Sequence, residues 1–176
     1  MSPSFKPALA TCIALALTAP APAQDLATYT AANEAAIAAW EAMPITIPTA
    51  LFIQQEAPAY GYFDPRETSI FQPGEPLIVY AEPMGFGWQR NDNGTFALDV
   101  EVDLVLRNPA GDILIRQDGF GRYTVTTRRQ NREFFLSLLL NLDGVPQGEY
   151  VLDYVVHDMV DGGAATISLP FIIAAG

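Results

Sequence analysis

The sequence predicts an all-β protein, an antiparallel sandwich of about seven to eight strands with one N-terminal helix, on three observations. In Thr95–Arg107 (TFALDVEVDLVLR), Phe96, Leu98, Val100, Val102, Leu104 and Leu106 alternate with polar or small residues over much of the run, the period of a half-buried strand. Similar apolar runs recur along the chain, punctuated by turn residues such as Asn91-Asp92-Asn93-Gly94, Asn108–Asp112 and Asp161–Gly163. In Asp143–Asp158 (DGVPQGEYVLDYVVHD), a turn runs into an alternating strand in which Tyr150 sits two residues after Gly148 and five after Val145.

The Tyr150 spacing resembles the tyrosine corner of immunoglobulin-like sandwiches, in which a Tyr at the start of strand F hydrogen-bonds back to the turn it has just left. The fold class expected is therefore an all-β, immunoglobulin-like antiparallel sandwich.

Residues 1–23 read as a signal peptide. Lys6 supplies the positive region, Leu9–Ala19 (LATCIALALTA) the apolar core and Ala21-Pro22-Ala23 the cleavage site, with cleavage after Ala23. The apolar run is too short to anchor the chain across a bilayer. Cys12 lies inside that core rather than after it, so lipid attachment is not expected. The mature chain then has no cysteine, hence no disulfide and no thiolate chemistry. The expected location is the periplasm, reached by a cleavable signal, or the secreted fraction, with no stable membrane insertion of the mature chain.

Residues 24–44 form the expected helix. Alanine is abundant in Gln24–Met43, and Leu26, Tyr29, Asn33, Ala36, Ile37, Trp40 and Met43 fall near three- and four-residue spacing. Asp25 or Thr28 caps its start and Pro44 ends it. Such a helix either packs on the sandwich or offers its apolar stripe to a partner.

Residues 45–176 make the sandwich. Pro44–Pro48 reads as a linker, Thr49–Gln54 as a first strand, and Pro58–Pro76 as an aromatic, proline-rich segment outside the core. Pro76–Glu82 is a strand, Pro83–Gln89 a loop, and Thr95–Arg107 the long alternating strand. Next come Ile113–Gln117, a turn at Asp118–Gly121, and Arg122–Thr127. Glu133–Leu142 is more uniformly apolar and reads as a strand covered on both faces. Gly148–Asp158 and Ala164–Ile173 close the fold, with Pro170 indicating an edge or a bulge.

Phe71-Gln72-Pro73-Gly74-Glu75-Pro76, Tyr80-Ala81-Glu82, Gly148-Glu149-Tyr150 and Val155–Asp158 together resemble a type of exported bacterial immunoglobulin-like domain, over roughly residues 70–173. The resemblance implies the sandwich and brings no catalytic residues. Each motif also has a structural explanation: Gly74 permits a turn, Pro76 starts a strand and Tyr150 staples one.

Charge narrows the partners. The chain carries a formal −11, all its acids lie beyond residue 24, and its only lysine is Lys6. Phosphate backbones and anionic membranes repel such a chain, so nucleic acid is not an expected partner. Arg122, Arg128, Arg129 and Arg132 form the one basic cluster, facing either an acidic partner or the protein's own acids.

Chemistry has few candidates. His157 is the only histidine, and an acid/base reading would orient it with Asp158 or Glu82. Neighbouring strand residues point to opposite faces, which places Asp158 poorly for that role. No zinc spacing occurs, and Asp92, Asp158 and Asp161 lie in turns without forming a calcium loop. No catalytic residue, cofactor or metal is expected.

The binding candidates are loop aromatics with nearby charges: Tyr60, Tyr62, Phe63 and Arg66 in one segment, and Glu82, Phe86 and Trp88 at and after the strand Pro76–Glu82. Aromatics on loops offer rigid contact area; alternatively they close the end of the sandwich as a small core of their own. The expected function is a non-catalytic binding or adaptor module acting on an envelope protein, a peptide or a polysaccharide. Trp88 and Tyr62 would be the stacking platforms in the carbohydrate version, and an enzyme built on His157 is the remaining alternative.

Overall fold

The structure is a computed structural model that describes residues 25–175. The expected signal peptide lies outside the described residues.

Helix α1 spans Leu26–Glu41. Asp25 caps it, its carboxylate accepting the Thr28 N–H at 2.8 Å and the Thr28 hydroxyl at 2.9 Å, which satisfies a donor the first turn leaves free. Pro44, soon after the Ala42 C-cap, bars continuation.

Three strands form one sheet: β1 (Thr46–Phe52), then β3 (Leu77–Met84), then β7 (Leu136–Leu140), all antiparallel. The opposing sheet is built on β5 (Phe96–Arg107), β8 (Gly148–Asp158) and β9 (Ala164–Ile173) in the order β9-β8-β5, with β6 (Ile113–Thr127) on the far edge of β5. Two short strands complete it. β2 (Ile70–Phe71) runs parallel to the end of β9, and β4 (Gln89–Arg90) pairs with Phe96 and Ala97, just before the stretch of β5 that β8 occupies.

The pairing β1-β3-β7 against β9-β8-β5-β6 matches strands A-B-E against G-F-C-C′ of an immunoglobulin-like sandwich. Tyr150, at the start of β8, donates its hydroxyl to the Pro146 carbonyl at 2.7 Å, so the tyrosine corner is formed. The chain is an immunoglobulin-like β-sandwich.

The core follows the alternation. Leu98, Val100, Val102, Leu104 and Leu106 of β5, together with the inward residues of its sheet neighbours β8 and β9, face Leu77, Val79 and Ala81 of β3 and Leu136 and Leu138 of β7. Burying each large aliphatic side chain contributes about 1.5–3 kcal/mol relative to leaving it exposed.

Four segments differ from the sequence expectation. The Asp118–Gly121 turn does not divide two strands, because β6 is continuous. Gln117 pairs with Leu104 and Gly121 with Val102, so the intervening residues bulge opposite Asp103. Glu133–Leu142 shortens to Leu136–Leu140, and it is an edge strand whose Leu139 is 43% exposed, not a strand covered on both faces. Pro44–Pro48 is not all linker, since β1 begins at Thr46 and places Pro48 in a register shift between Thr46 and Thr49. Pro58–Pro76 does reach the core: Phe71 is buried against Phe52 and Phe171.

Candidate functional site

The aromatic segment after β1 folds over the outer face of the three-stranded sheet. Ile53 N–H donates to the Ile78 carbonyl at 2.9 Å and Arg66 N–H to the Phe52 carbonyl at 2.9 Å, tying both ends of the loop. Between them Phe63 stacks on Tyr80 at 4.2 Å, and Phe135 stacks on the other side of Tyr80 at 5.5 Å. Tyr80 is fully buried. Its hydroxyl donates to the Glu82 carboxylate at 2.6 Å and accepts the Gly61 N–H at 2.7 Å. Burial, with the Glu82 bond next, pushes the Tyr80 hydroxyl up to about 12.

This loop divides the expected binding residues. Phe63 belongs to the small outer core with Tyr80. Arg66 pairs with Glu75 at 2.7 Å, lies 4.1 Å from the Phe71 ring centroid, and donates to the Thr68 and Ile70 carbonyls. It is a clamp on the chain entering β2, with its guanidinium already committed. Tyr62 is 71% exposed and Tyr60 39%.

Phe86 is a buried packing residue. It is 1% exposed, packed edge-on against Trp40 of α1 at 5.0 Å and against Phe134 at 5.6 Å, and its carbonyl accepts the Trp40 indole N–H at 3.0 Å. Trp88 packs on Phe86 at 5.4 Å, half-buried beside Ile37 and Trp40 of α1. The helix covers this loop, which removes Trp88 as an open stacking platform. The close approach requires Gly85, whose φ is +71° and where a Cβ would meet the Pro44 carbonyl oxygen at 2.6 Å. Asp158 holds the loop from the other side, accepting the Gly87 N–H at 2.7 Å.

A groove of about 540 Å³ opens where these parts meet. Ala36, Ala39 and Trp40 of α1, with Met43 just past its end, form one wall and Met84 of β3 part of the floor. Tyr60 and the pair Arg132-Glu133 close the remaining sides. Burial first, then the negative charges of Glu82 and Glu133, raise the Tyr60 hydroxyl above its ordinary value. On the helix side Arg132 donates to the Asn33 side chain at 3.3 Å, and Gln130 donates to Glu41 at 2.9 Å. The stripe that lines the groove continues up α1 to Leu26 and Tyr29, which are 79% and 68% exposed.

The structure thus brings Tyr60 to the groove beside the helix, with Glu82 near enough to act on its hydroxyl, packs Phe86 and Trp88 under the helix, and commits Phe63 and Arg66 to packing elsewhere. Sequence reasoning did not place Met84 and Glu133 at a site. The juxtaposition of Arg132-Glu133 with Phe134-Phe135 was the available signal, a charged pair running into buried aromatics.

The acid/base candidate does not assemble. The Nε2 atom of His157 lies 2.9 Å from Asp103, whose other carboxylate oxygen accepts the Gly119 N–H of the β6 bulge at 2.7 Å. The Gly119 bond, more than His157, holds the Asp103 carboxyl below the usual range despite burial. Glu82 stands on the outer face of the opposite sheet, away from His157. Asp158 points inward, buried, and also accepts the Val160 and Asp161 N–H groups at 2.9 and 3.3 Å, so it builds the β8–β9 turn. Arg122 of the basic cluster is held by Asp99 at 2.6 Å. Among the described residues no group of three or more His, Cys, Asp or Glu is disposed to hold a metal, and no helix is long and apolar enough to cross a membrane.

The sequence matches no protein-family profile, and comparison with curated proteins also gives no match. Among solved structures the chain is similar to Spo0M, a sporulation control protein from Bacillus subtilis, at 12% identity and a TM-score of 0.38. That alignment covers 76% of this chain and 51% of Spo0M, so the chain spans about half of Spo0M's length. It is also similar to the CARDB domain of a Pyrococcus furiosus protein, solved in complex with di-metal ions, at 10% identity and a TM-score of 0.33, covering 74% of this chain and 86% of that one. Neither likeness carries an activity or a ligand over to this chain.

Proposed function

We propose that this protein is a non-catalytic binding or adaptor module of the cell envelope that holds a protein or peptide partner in the groove between α1 and the three-stranded sheet. The observation that carries the reading is the groove itself, walled by a helix face on one side and by Tyr60 on the other. Its volume is that of a ligand-sized cleft, and a helix stripe left open beside it is a common way to seat a partner segment. The signal-peptide pattern of residues 1–23 supports export to the periplasm or beyond. The F-x-x-G-x-P, Y-x-E and G-x-Y motifs support a place among exported bacterial immunoglobulin-like domains. The carbohydrate alternative is weaker, because Trp88 packs under α1 while Tyr62 stands on a different loop.

The test is capture from a periplasmic extract by the wild-type protein and by an Ala39→Trp variant. Ala39 is exposed, so the indole enters the groove without disturbing the core. The captured species is identified by mass spectrometry and titrated against both proteins. Loss of binding in the variant is expected; equal binding by the two proteins would exclude the groove as the contact surface.

A further inference from the structure

The groove is electrically lopsided. At its Tyr60 end stand two carboxylates, Glu133 in the lining and Glu82 just behind. The Tyr80 hydroxyl links Glu82, at 2.6 Å, to the Gly61 N–H, at 2.7 Å, next to Tyr60. Neither carboxylate has an ion-pair partner among the described residues. The cation in the lining, Arg132, is drawn to the helix side by Asn33 at 3.3 Å. The joint field of Glu82 and Glu133 reaches the Tyr60 hydroxyl, where it adds to burial in opposing ionisation. Between the two ends the surface is alanine, methionine and the Trp40 indole.

From this complementarity we infer that the groove takes a basic peptide segment. Its lysine or arginine side chain would lie against Tyr60 between Glu82 and Glu133, and its neighbouring apolar side chains on Ala39, Met43 and Met84. The inference rests on the groove being the binding surface. A cation there gains two charge-assisted contacts and an aromatic face at once. The acidic charge of the whole chain attracts a basic ligand at long range. An acidic segment in the same place would set a third negative charge beside two that no cation offsets by an ion pair.

The experiment uses immobilised nonapeptides of alternating leucine and serine with a fixed central lysine, arginine, glutamate or serine. Retention is measured for the wild type, Ala39→Trp, and the double variant Glu82→Gln/Glu133→Gln, with Glu133→Gln alone as a variant that leaves the Tyr80 bond untouched. Wild type is expected to hold the lysine and arginine peptides about tenfold more tightly than the glutamate peptides. That preference should shrink in Glu133→Gln, vanish in the double variant, and weaken from low to physiological salt. Ala39→Trp should lose all four. Retention that depends on Ala39 but ignores the central charge would overturn the basic-peptide inference and leave the groove reading standing. A cation preference that survives the double variant would also overturn it. Retention indifferent to Ala39→Trp would remove the groove reading and the inference together.

Discussion

Tyr150 and Asp103 show how single side chains set the local geometry. Tyr150 closes the corner onto Pro146, and replacing it with phenylalanine keeps the ring in the core while deleting one hydrogen bond. Tyr150→Phe should lower unfolding free energy by about 1 kcal/mol or somewhat more, measured by urea titration; an unchanged midpoint would mean the bond contributes nothing. Asp103 joins the β6 bulge to His157. Its carboxyl is held below the ordinary value, so its contribution is present above the unfolded-state pKa of about 4 and is lost as pH falls through the lower folded value. The acid limb of a stability–pH curve should therefore flatten in Asp103→Asn. A limb as steep as wild type would assign the acid sensitivity to other carboxylates. Tyr150 was legible as a motif because its partner lies four residues away. Asp103 was not, because both its partners come from other strands.

Helix α1 is attached mainly through its second half. Trp40 is its one buried residue, and it anchors the helix through Phe86 by ring packing and by the 3.0 Å bond to the Phe86 carbonyl. Trp40→Ala is expected to release α1 while leaving the sandwich folded: amide exchange in Leu26–Glu41 should accelerate sharply, with β5 and β8 little changed. Global unfolding of that variant would instead make α1 part of the cooperative core. Gly85 controls the same junction. Its left-handed backbone costs an alanine about 1–3 kcal/mol, and the new Cβ would also press on the backbone of Met43 and Pro44. Gly85→Ala should thus destabilise by at least that amount in urea unfolding, and an unchanged midpoint would show that the junction yields freely. The helix and its stripe were legible in the chain from spacing and alanine content. That the stripe covers Phe86 and Trp88 was not, since nothing local to either segment encodes their meeting.

Across the whole molecule the acidic excess acts on stability as well as on partners. With a formal charge of −11, self-repulsion opposes the compact state, and salt screens it. Raising ionic strength at neutral pH should move the urea midpoint upward; a downward shift would mean that ion pairs such as Arg122–Asp99 outweigh the general repulsion. By itself the sequence determined the features that rest on local chemistry. These are the two-residue alternation of β5 and β8, the turn that Tyr150 staples, the capped helix and the sign of the surface charge. Tertiary structure alone decided which aromatics are lids and which are rims. It sent Phe63 to Tyr80, Phe86 to Trp40 and Arg66 to Glu75, and left Tyr60 within the field of Glu82 and Glu133. The physical reason is that an aromatic side chain carries the same hydrophobic drive wherever it stands in the chain. Whether it is buried or open depends on what surface the rest of the fold brings to meet it, and those contacts join residues tens of positions apart.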